Sequence, residues 1–123
     1  ISGADVIEAL ENGVSDIENG AGRFPQVAGL KYSYTLANPA GERISDVMVP
    51  GEGDQWVPID EDATYIVVTN NYMRGGGDGY GTFAEGDNAY DFGPPLEQVV
   101  ADYIAELGGE YTPYTDGRIT VIE

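Results

Sequence analysis

The chain has 123 residues and a strongly acidic composition, with 22 Asp and Glu against 5 Lys and Arg and a formal charge of −17. This length fits one domain that buries roughly two thirds of its unfolded surface. The hydrophobic fraction of 41% excludes a disordered acidic tail. The negative charge repels phosphate backbones, so we do not expect nucleic acid as a partner.

The chain contains neither Cys nor His. It therefore has no thiolate, no disulfide, no imidazole base and no imidazole metal ligand. A self-contained hydrolase would need carboxylates alone, or a hard metal ion held entirely by oxygen. Because no clustered metal-ligand motif is present either, we expect no catalytic residue, metal site or cofactor in the chain, and we predict that the isolated chain is inactive as an enzyme. No apolar run is long enough to span a membrane, and no signal-peptide pattern is present. The chain begins with Ile1 rather than Met, so we expect a fragment or a processed product.

The first half of the sequence predicts one helix and a β-hairpin. Ser2 and Asp5 form a capping-box pattern, and apolar residues recur at helical spacing over residues 3–18. Strands are predicted over residues 27–36 and 44–49, joined by a turn at Asn38-Pro39-Ala40-Gly41. Residues 50–62 are predicted to be a connection in which Trp56 covers the core.

The second half predicts two strands and a second helix. The β-branched run from Ala63 to Asn70 indicates a buried central strand. Pro94 and Pro95 suit a first helical turn, and Gly108-Gly109 stops the helix that follows. A short strand is predicted over residues 118–122. The fold class predicted is α+β: a single domain with a mixed β-sheet of about four or more strands packed with two main helices.

The glycine-rich segment of residues 71–80 is unusual, and the residues alone leave several interpretations open. A phosphate-binding loop is disfavoured because the Lys-Ser/Thr ending is missing and an aspartate lies in its middle. A calcium loop is disfavoured because the acidic residues lack the required alternating spacing. A third interpretation is a nucleoside site, with Tyr72 as a flat ring and Asp78 as an acceptor for sugar hydroxyls. By physical reasoning alone, aromatics packed beside a simple glycine turn are favoured over this site.

Five segments, in order along the chain, carry a resemblance to a known family. They are Ser2–Glu11, Gly22–Leu30, Tyr65–Tyr72, Gly76–Tyr80 and Asp116–Ile119. The most specific is an Asn-aromatic pair followed by Gly-Gly-Asp-Gly-aromatic. Together the segments resemble the C-terminal domain of the 5'-nucleotidase and UDP-sugar hydrolase family of metallophosphoesterases, and they cover nearly the whole chain.

The resemblance assigns residues to a substrate-binding site. Tyr72 stands at the position whose aromatic side chain stacks on the nucleobase, and Asp78 at the position that contacts the ribose hydroxyls. Gly76, Gly77 and Gly79 would let the ligand approach the backbone closely. Three further residues, Phe24, Gln26 and Gly29, also match the family, and we interpret them as structural. We expect Arg74 to face solvent or to pair with a neighbouring acid.

The resemblance also implies what lies outside residues 1–123. In the family, a second stacking aromatic and phosphate-binding arginines lie upstream, and two divalent metal ions are bound in a separate N-terminal metallophosphatase domain. The implied function is binding of the base and ribose of a nucleotide in a periplasmic or extracellular hydrolase acting on nucleoside 5'-monophosphates. Relatives acting on UDP-sugars or cyclic nucleotides cannot be separated from it by sequence. The alternative is a non-catalytic acidic binding or adhesion module with the same fold.

Overall fold

The computed structural model describes residues 1–123, and its first helix, α1, spans Gly3–Gly13. The predicted capping box is present, since Ser2 Oγ accepts from the Asp5 backbone N–H at 3.1 Å and the Ser2 N–H donates to Asp5 Oδ2 at 2.8 Å. The helix ends before the predicted boundary at residue 18. Both the backbone N–H and the hydroxyl of Ser15 bond the Asn12 carbonyl, which replaces regular helical bonding.

A mixed four-stranded sheet follows, in the spatial order β3-β2-β1-β4. Its strands are β1 (Lys31–Tyr34), β2 (Ile44–Pro50), β3 (Trp56–Pro58) and β4 (Ile119–Val121). Neighbours β1 and β2 form the predicted antiparallel hairpin, β3 pairs antiparallel with β2, and β4 pairs parallel with β1. The predicted α+β class with a mixed sheet is therefore confirmed.

The core lies where α1 packs on β1 and β2. Its buried apolar residues are Val6, Leu10, Val14, Tyr32, Tyr34 and Val47. Arg43 is buried at the end of α1, where its Nη1 donates to the Val14 carbonyl at 2.7 Å and its guanidinium pairs with Glu18. This contact satisfies one of the carbonyls that a helix leaves open at its C-terminus.

The prediction of a buried central strand over Ala63 to Asn70 is wrong. One antiparallel bridge joins Thr64 to Ser2, but the backbone of residues 66–69 makes no hydrogen bond. Val68 is 92% exposed. The β-branched side chains favour an extended backbone, but no second strand lies beside these residues to complete a ladder.

Trp56 was predicted to cover the core and does not. It lies in β3, at the edge of the sheet, and is exposed. Its ring instead contacts Lys31, whose Nζ is 4.4 Å from the ring centroid. The Pro residue that ends β3 is tolerated because an edge strand has one unpaired side.

Two short helices, α2 (Asn71–Arg74) and α3 (Gly81–Ala84), precede the last helix, α4 (Leu96–Glu106). Helix α4 forms close to where it was predicted, and Gly108 and Gly109 after it both have φ near +91°. The expectation that α4 packs on the core is wrong, since none of its residues is buried. A cleft of about 1280 Å³ lies between α4 and the core. None of the helices combines the length and apolar character that crossing a membrane requires.

Candidate nucleoside-binding site

The candidate site is the glycine-rich loop between α2 and α3. Helix α2 is capped at its N-terminus by Asn70, whose Oδ1 accepts from the Met73 backbone N–H at 2.8 Å, and at its C-terminus by Gly75. A single 3₁₀ turn at Gly77–Gly79 follows. The side-chain cap and the glycines therefore allow a short helix and a tight turn to follow each other directly.

The loop contains backbone conformations that most residues avoid. Gly76 and Gly79 have φ of +90° and +82°, where glycine meets no steric penalty. Asp78 between them has φ 55° and ψ 26°, a left-handed conformation that Asp and Asn adopt more readily than other side chains. The Gly-Asp-Gly sequence thus matches the local geometry residue by residue.

Tyr72 and Asp78, the two predicted contact residues, are brought together. The Tyr72 hydroxyl donates to Asp78 Oδ1 at 3.2 Å, and both side chains are exposed. The Tyr72 ring lies against Gly77, where an added Cβ would be 2.6 Å from two ring atoms. Tyr72 is 60% exposed, so its ring is not part of the packed core. The structure therefore presents a ring and a carboxylate side by side at the surface.

Tyr80, at the end of the loop, has a structural role. It is 2% exposed, its ring stacks on Phe83 at 5.1 Å, and its hydroxyl donates to the Arg23 carbonyl at 2.6 Å. Burial raises the pKa of Tyr80, and the charge of Asp78 adds to the rise. Tyr80 therefore remains a neutral donor that anchors the loop to the core.

Arg74 does pair with an acid, as expected. Its Nε lies 3.3 Å from Asp91 Oδ1 and its Nη1 donates to the Phe83 carbonyl at 2.8 Å. No group of three or more Asp and Glu side chains converges as a metal ion would need. The loop accordingly offers an aromatic face and a hydrogen-bond acceptor, and its one Arg is engaged elsewhere.

One contact to the loop was not predicted. Asn12, near the end of α1, donates from Nδ2 to the Asp78 carbonyl at 2.9 Å. A polar residue at the end of an amphipathic helix gives no sequence signal for such a contact, because solvent exposure explains it equally well. Phe24, expected to be structural, packs against the core with its ring 5.7 Å from that of Tyr34.

Comparison with known proteins identifies the family of the chain. Residues 1–85 match the family described as the 5'-nucleotidase, C-terminal domain. The chain is 40% identical over 119 residues to the trifunctional nucleotide phosphoesterase protein YfkN of Bacillus subtilis, covering 97% of this chain and 8% of that protein. It is 30% identical over 127 residues to a snake venom 5'-nucleotidase of Gloydius brevicauda, covering 97% of this chain and 21% of that protein.

A solved structure shows the same fold. The crystal structure of the 5'-nucleotidase precursor from Thermus thermophilus superposes with a TM-score of 0.91 at 42% identity, covering 99% of this chain and 24% of that one. The chain thus spans less than a quarter of the length of each of these three proteins. On the match over residues 1–85, the chain belongs to the 5'-nucleotidase C-terminal domain family.

Proposed function

We propose that the chain binds the base and ribose of a nucleotide for a 5'-nucleotidase-type phosphoesterase. The observation that carries this is the exposed Tyr72 ring, whose hydroxyl lies 3.2 Å from the Asp78 carboxylate. A nucleobase stacks on an aromatic face, and a carboxylate accepts hydrogen bonds from the two ribose hydroxyls. Gly76, Gly77 and Gly79 would let the ligand approach the loop backbone, although the Tyr72 ring already lies against Gly77 and the Asn12 amide against Gly79.

In this proposal, a different domain of the whole protein carries out hydrolysis. Two divalent metal ions in a separate N-terminal domain would activate a water and stabilise charge on the phosphoryl oxygens. The residues described here do not cluster to hold a metal ion. This domain contributes by holding the nucleoside so that its phosphate reaches the metal ions. The isolated chain would then bind nucleosides but release no phosphate.

The substrate proposed is a nucleoside 5'-monophosphate or a related nucleotide. The name of the B. subtilis relative, a trifunctional nucleotide phosphoesterase, supports a nucleotide as the substrate class. UDP-sugars and cyclic nucleotides are included in the proposed class. We place the protein outside the cytoplasm, in the periplasm or the extracellular medium, which the snake venom relative supports.

The test is titration of the chain with adenosine, followed by the Tyr72→Ala and Tyr72→Phe variants. Stacking on an aromatic is worth about 1–3 kcal/mol per base, so Tyr72→Ala should raise the Kd roughly tenfold to a hundredfold. Tyr72→Phe keeps the ring and should change the Kd little. Tyr103→Ala is the matched control, because Tyr103 is also exposed (51%) but lines the cleft beside α4.

The rival is an acidic adhesion module that keeps the fold without the binding function. It predicts no adenosine binding by the wild-type chain, and that outcome would refute the proposal. Equal loss of affinity in Tyr72→Ala and Tyr103→Ala would contradict stacking of the base specifically on the Tyr72 ring.

A further inference from the structure

Apart from the Tyr80 hydroxyl, which bonds the Arg23 carbonyl at the end of the loop, one hydrogen bond from outside reaches the loop that carries Asp78. Asn12 Nδ2 donates to the Asp78 carbonyl at 2.9 Å, across 66 residues of sequence. All other hydrogen bonds made by residues 75–79 stay within residues 70–84. The side chain of Asn12 is therefore the single polar connection between this loop and α1.

Asn12 also packs against the loop backbone. A Cβ added at Gly79 would lie 2.5 Å from Asn12 Oδ1 and 3.3 Å from its Cγ. Gly79 thus admits the amide group of Asn12 to a position that any side chain would occupy. This close approach brings the Asn12 Nδ2 onto the neighbouring carbonyl.

The bond acts on the residue whose conformation is least favoured. Asp78 is left-handed, and Gly76 and Gly79 around it are free to adopt many other conformations. Bonding the Asp78 carbonyl fixes the peptide plane between residues 78 and 79. This restricts ψ of Asp78 and so favours the backbone conformation in which its carboxylate meets the Tyr72 hydroxyl.

Asn12 is itself held by a rigid element. Helix α1 is capped at Ser2, and its last turn is tied to Arg43 through the Val14 carbonyl. The neighbouring residues Leu10 and Val14 are buried in the core. A contact group on a fixed helix can hold a glycine loop in one geometry.

We propose that Asn12 is a positioning residue for nucleoside binding, which holds Asp78 in the conformation that offers its carboxylate to the ribose hydroxyls. This rests on the proposed function of the Tyr72–Asp78 site. Without Asn12, the cost of ordering the loop falls on the binding step. Because Asn12 acts through Asp78, its effect should depend on the ribose hydroxyls.

The test compares Asn12→Asp and Asn12→Ala with the wild type and with Asn19→Asp. Asn12→Asp keeps the shape but loses the donor, and Asn12→Ala removes the side chain without adding charge. Asn19→Asp is the control for charge, since the Asn19 side chain is exposed and bonds only Asp16. The measurements are the Kd for adenosine and for 2',3'-dideoxyadenosine, the ¹⁵N relaxation of residues 76–79 without ligand, and the Tm.

Both Asn12 variants should loosen residues 76–79 in the relaxation data while Asn19→Asp does not. Loss of one hydrogen bond predicts that the Kd for adenosine rises about threefold to tenfold. The Kd for dideoxyadenosine should change less, because it lacks the hydroxyls that Asp78 would bind.

Wild-type loop order in both Asn12 variants would overturn the positioning role, as would equal losses for the two nucleosides. A lower Tm with an unchanged folded-state loop would also overturn it and leave Asn12 a purely structural residue. If the wild-type chain binds no adenosine, the proposed function fails by itself, and the relaxation data still decide whether Asn12 holds the loop.

Discussion

Gly77 lies directly beneath the Tyr72 ring, and this contact requires the absence of a side chain. A Cβ at Gly77 would lie 2.6 Å from the ring and from the Tyr72 carbonyl. Gly75, earlier in the same loop, would place its Cβ 3.6 Å or more from its neighbours, which is ordinary contact. Substitution by Ala should therefore have opposite outcomes at Gly77 and Gly75, so the second variant is a matched control for the first.

Gly77→Ala should displace the Tyr72 ring and weaken adenosine binding at least several-fold. Gly75→Ala should leave binding unchanged and alter the free energy of unfolding by less than about 1 kcal/mol. Titration of both variants with adenosine, together with their melting curves, checks this. Equal affinities for the two variants would show that the ring position does not matter.

The ion pair between Glu18 and Arg43 makes the stability of the fold depend on pH. The hydrogen bond from Arg43 holds the pKa of the Glu18 carboxyl below its usual value. A carboxyl whose pKa is lower in the folded state stabilises the fold above its unfolded pKa of about 4.3. That contribution is lost as the pH falls through the lowered folded value.

Glu18→Gln isolates this contribution from the general acidity of the chain. The difference in unfolding free energy between wild type and variant should be constant above about pH 5 and should shrink below about pH 4. Denaturant unfolding at several pH values measures it. A difference that stays the same from acidic to neutral pH would rule out the ion pair as its cause.

At the scale of elements, the segment of residues 63–70 separates two interpretations of the same sequence. Its β-branched run predicted a buried strand, and the structure leaves it largely exposed and mostly unpaired. Val68 is 92% exposed, whereas Val47 in β2 is 7% exposed. Val68→Thr should therefore change the free energy of unfolding by less than about 0.5 kcal/mol.

Val47→Thr is the matched control for that variant. It places a hydroxyl in the core and should cost about 1–3 kcal/mol. Thermal or denaturant unfolding of the two variants gives the comparison. A large cost at Val68 would restore the central-strand interpretation.

These elements also show what the sequence could and could not predict. Helix α1, its cap at Ser2 and the hairpin of β1 and β2 follow from local patterns, because capping, periodicity and turn residues act over a few positions. Whether a strand is paired, or a helix face covered, depends on distant residues. The prediction therefore failed for residues 63–70 and for the packing of α4.

The candidate site likewise has a part that the sequence predicted and a part that it did not. The Gly-rich motif and its resemblance to the family indicated Tyr72 and Asp78, whose side-chain oxygens the structure places 3.2 Å apart. The contact of Asn12 with Asp78 joins residues 66 positions apart. No local pattern encodes such a contact, so the fold itself was needed to find it.

At the scale of the whole molecule, two surfaces are candidates for nucleoside binding. One is the loop with Tyr72 and Asp78, and the other is the apolar cleft of about 1280 Å³ beside α4. The cleft is large and lined mainly by apolar residues, so an aromatic base could enter it by hydrophobic burial alone. Affinity measurements on a single variant do not locate the ligand on the molecule.

The most direct test of the account is therefore a map of adenosine binding by amide chemical shifts in the ¹⁵N-labelled chain. Nucleoside binding at Tyr72 and Asp78 predicts saturable shifts concentrated at residues 72–80, and at Asn12, with residues 100–104 of α4 unaffected. Shifts concentrated along α4 and residues 66–69, or no saturable shifts at all, would contradict it.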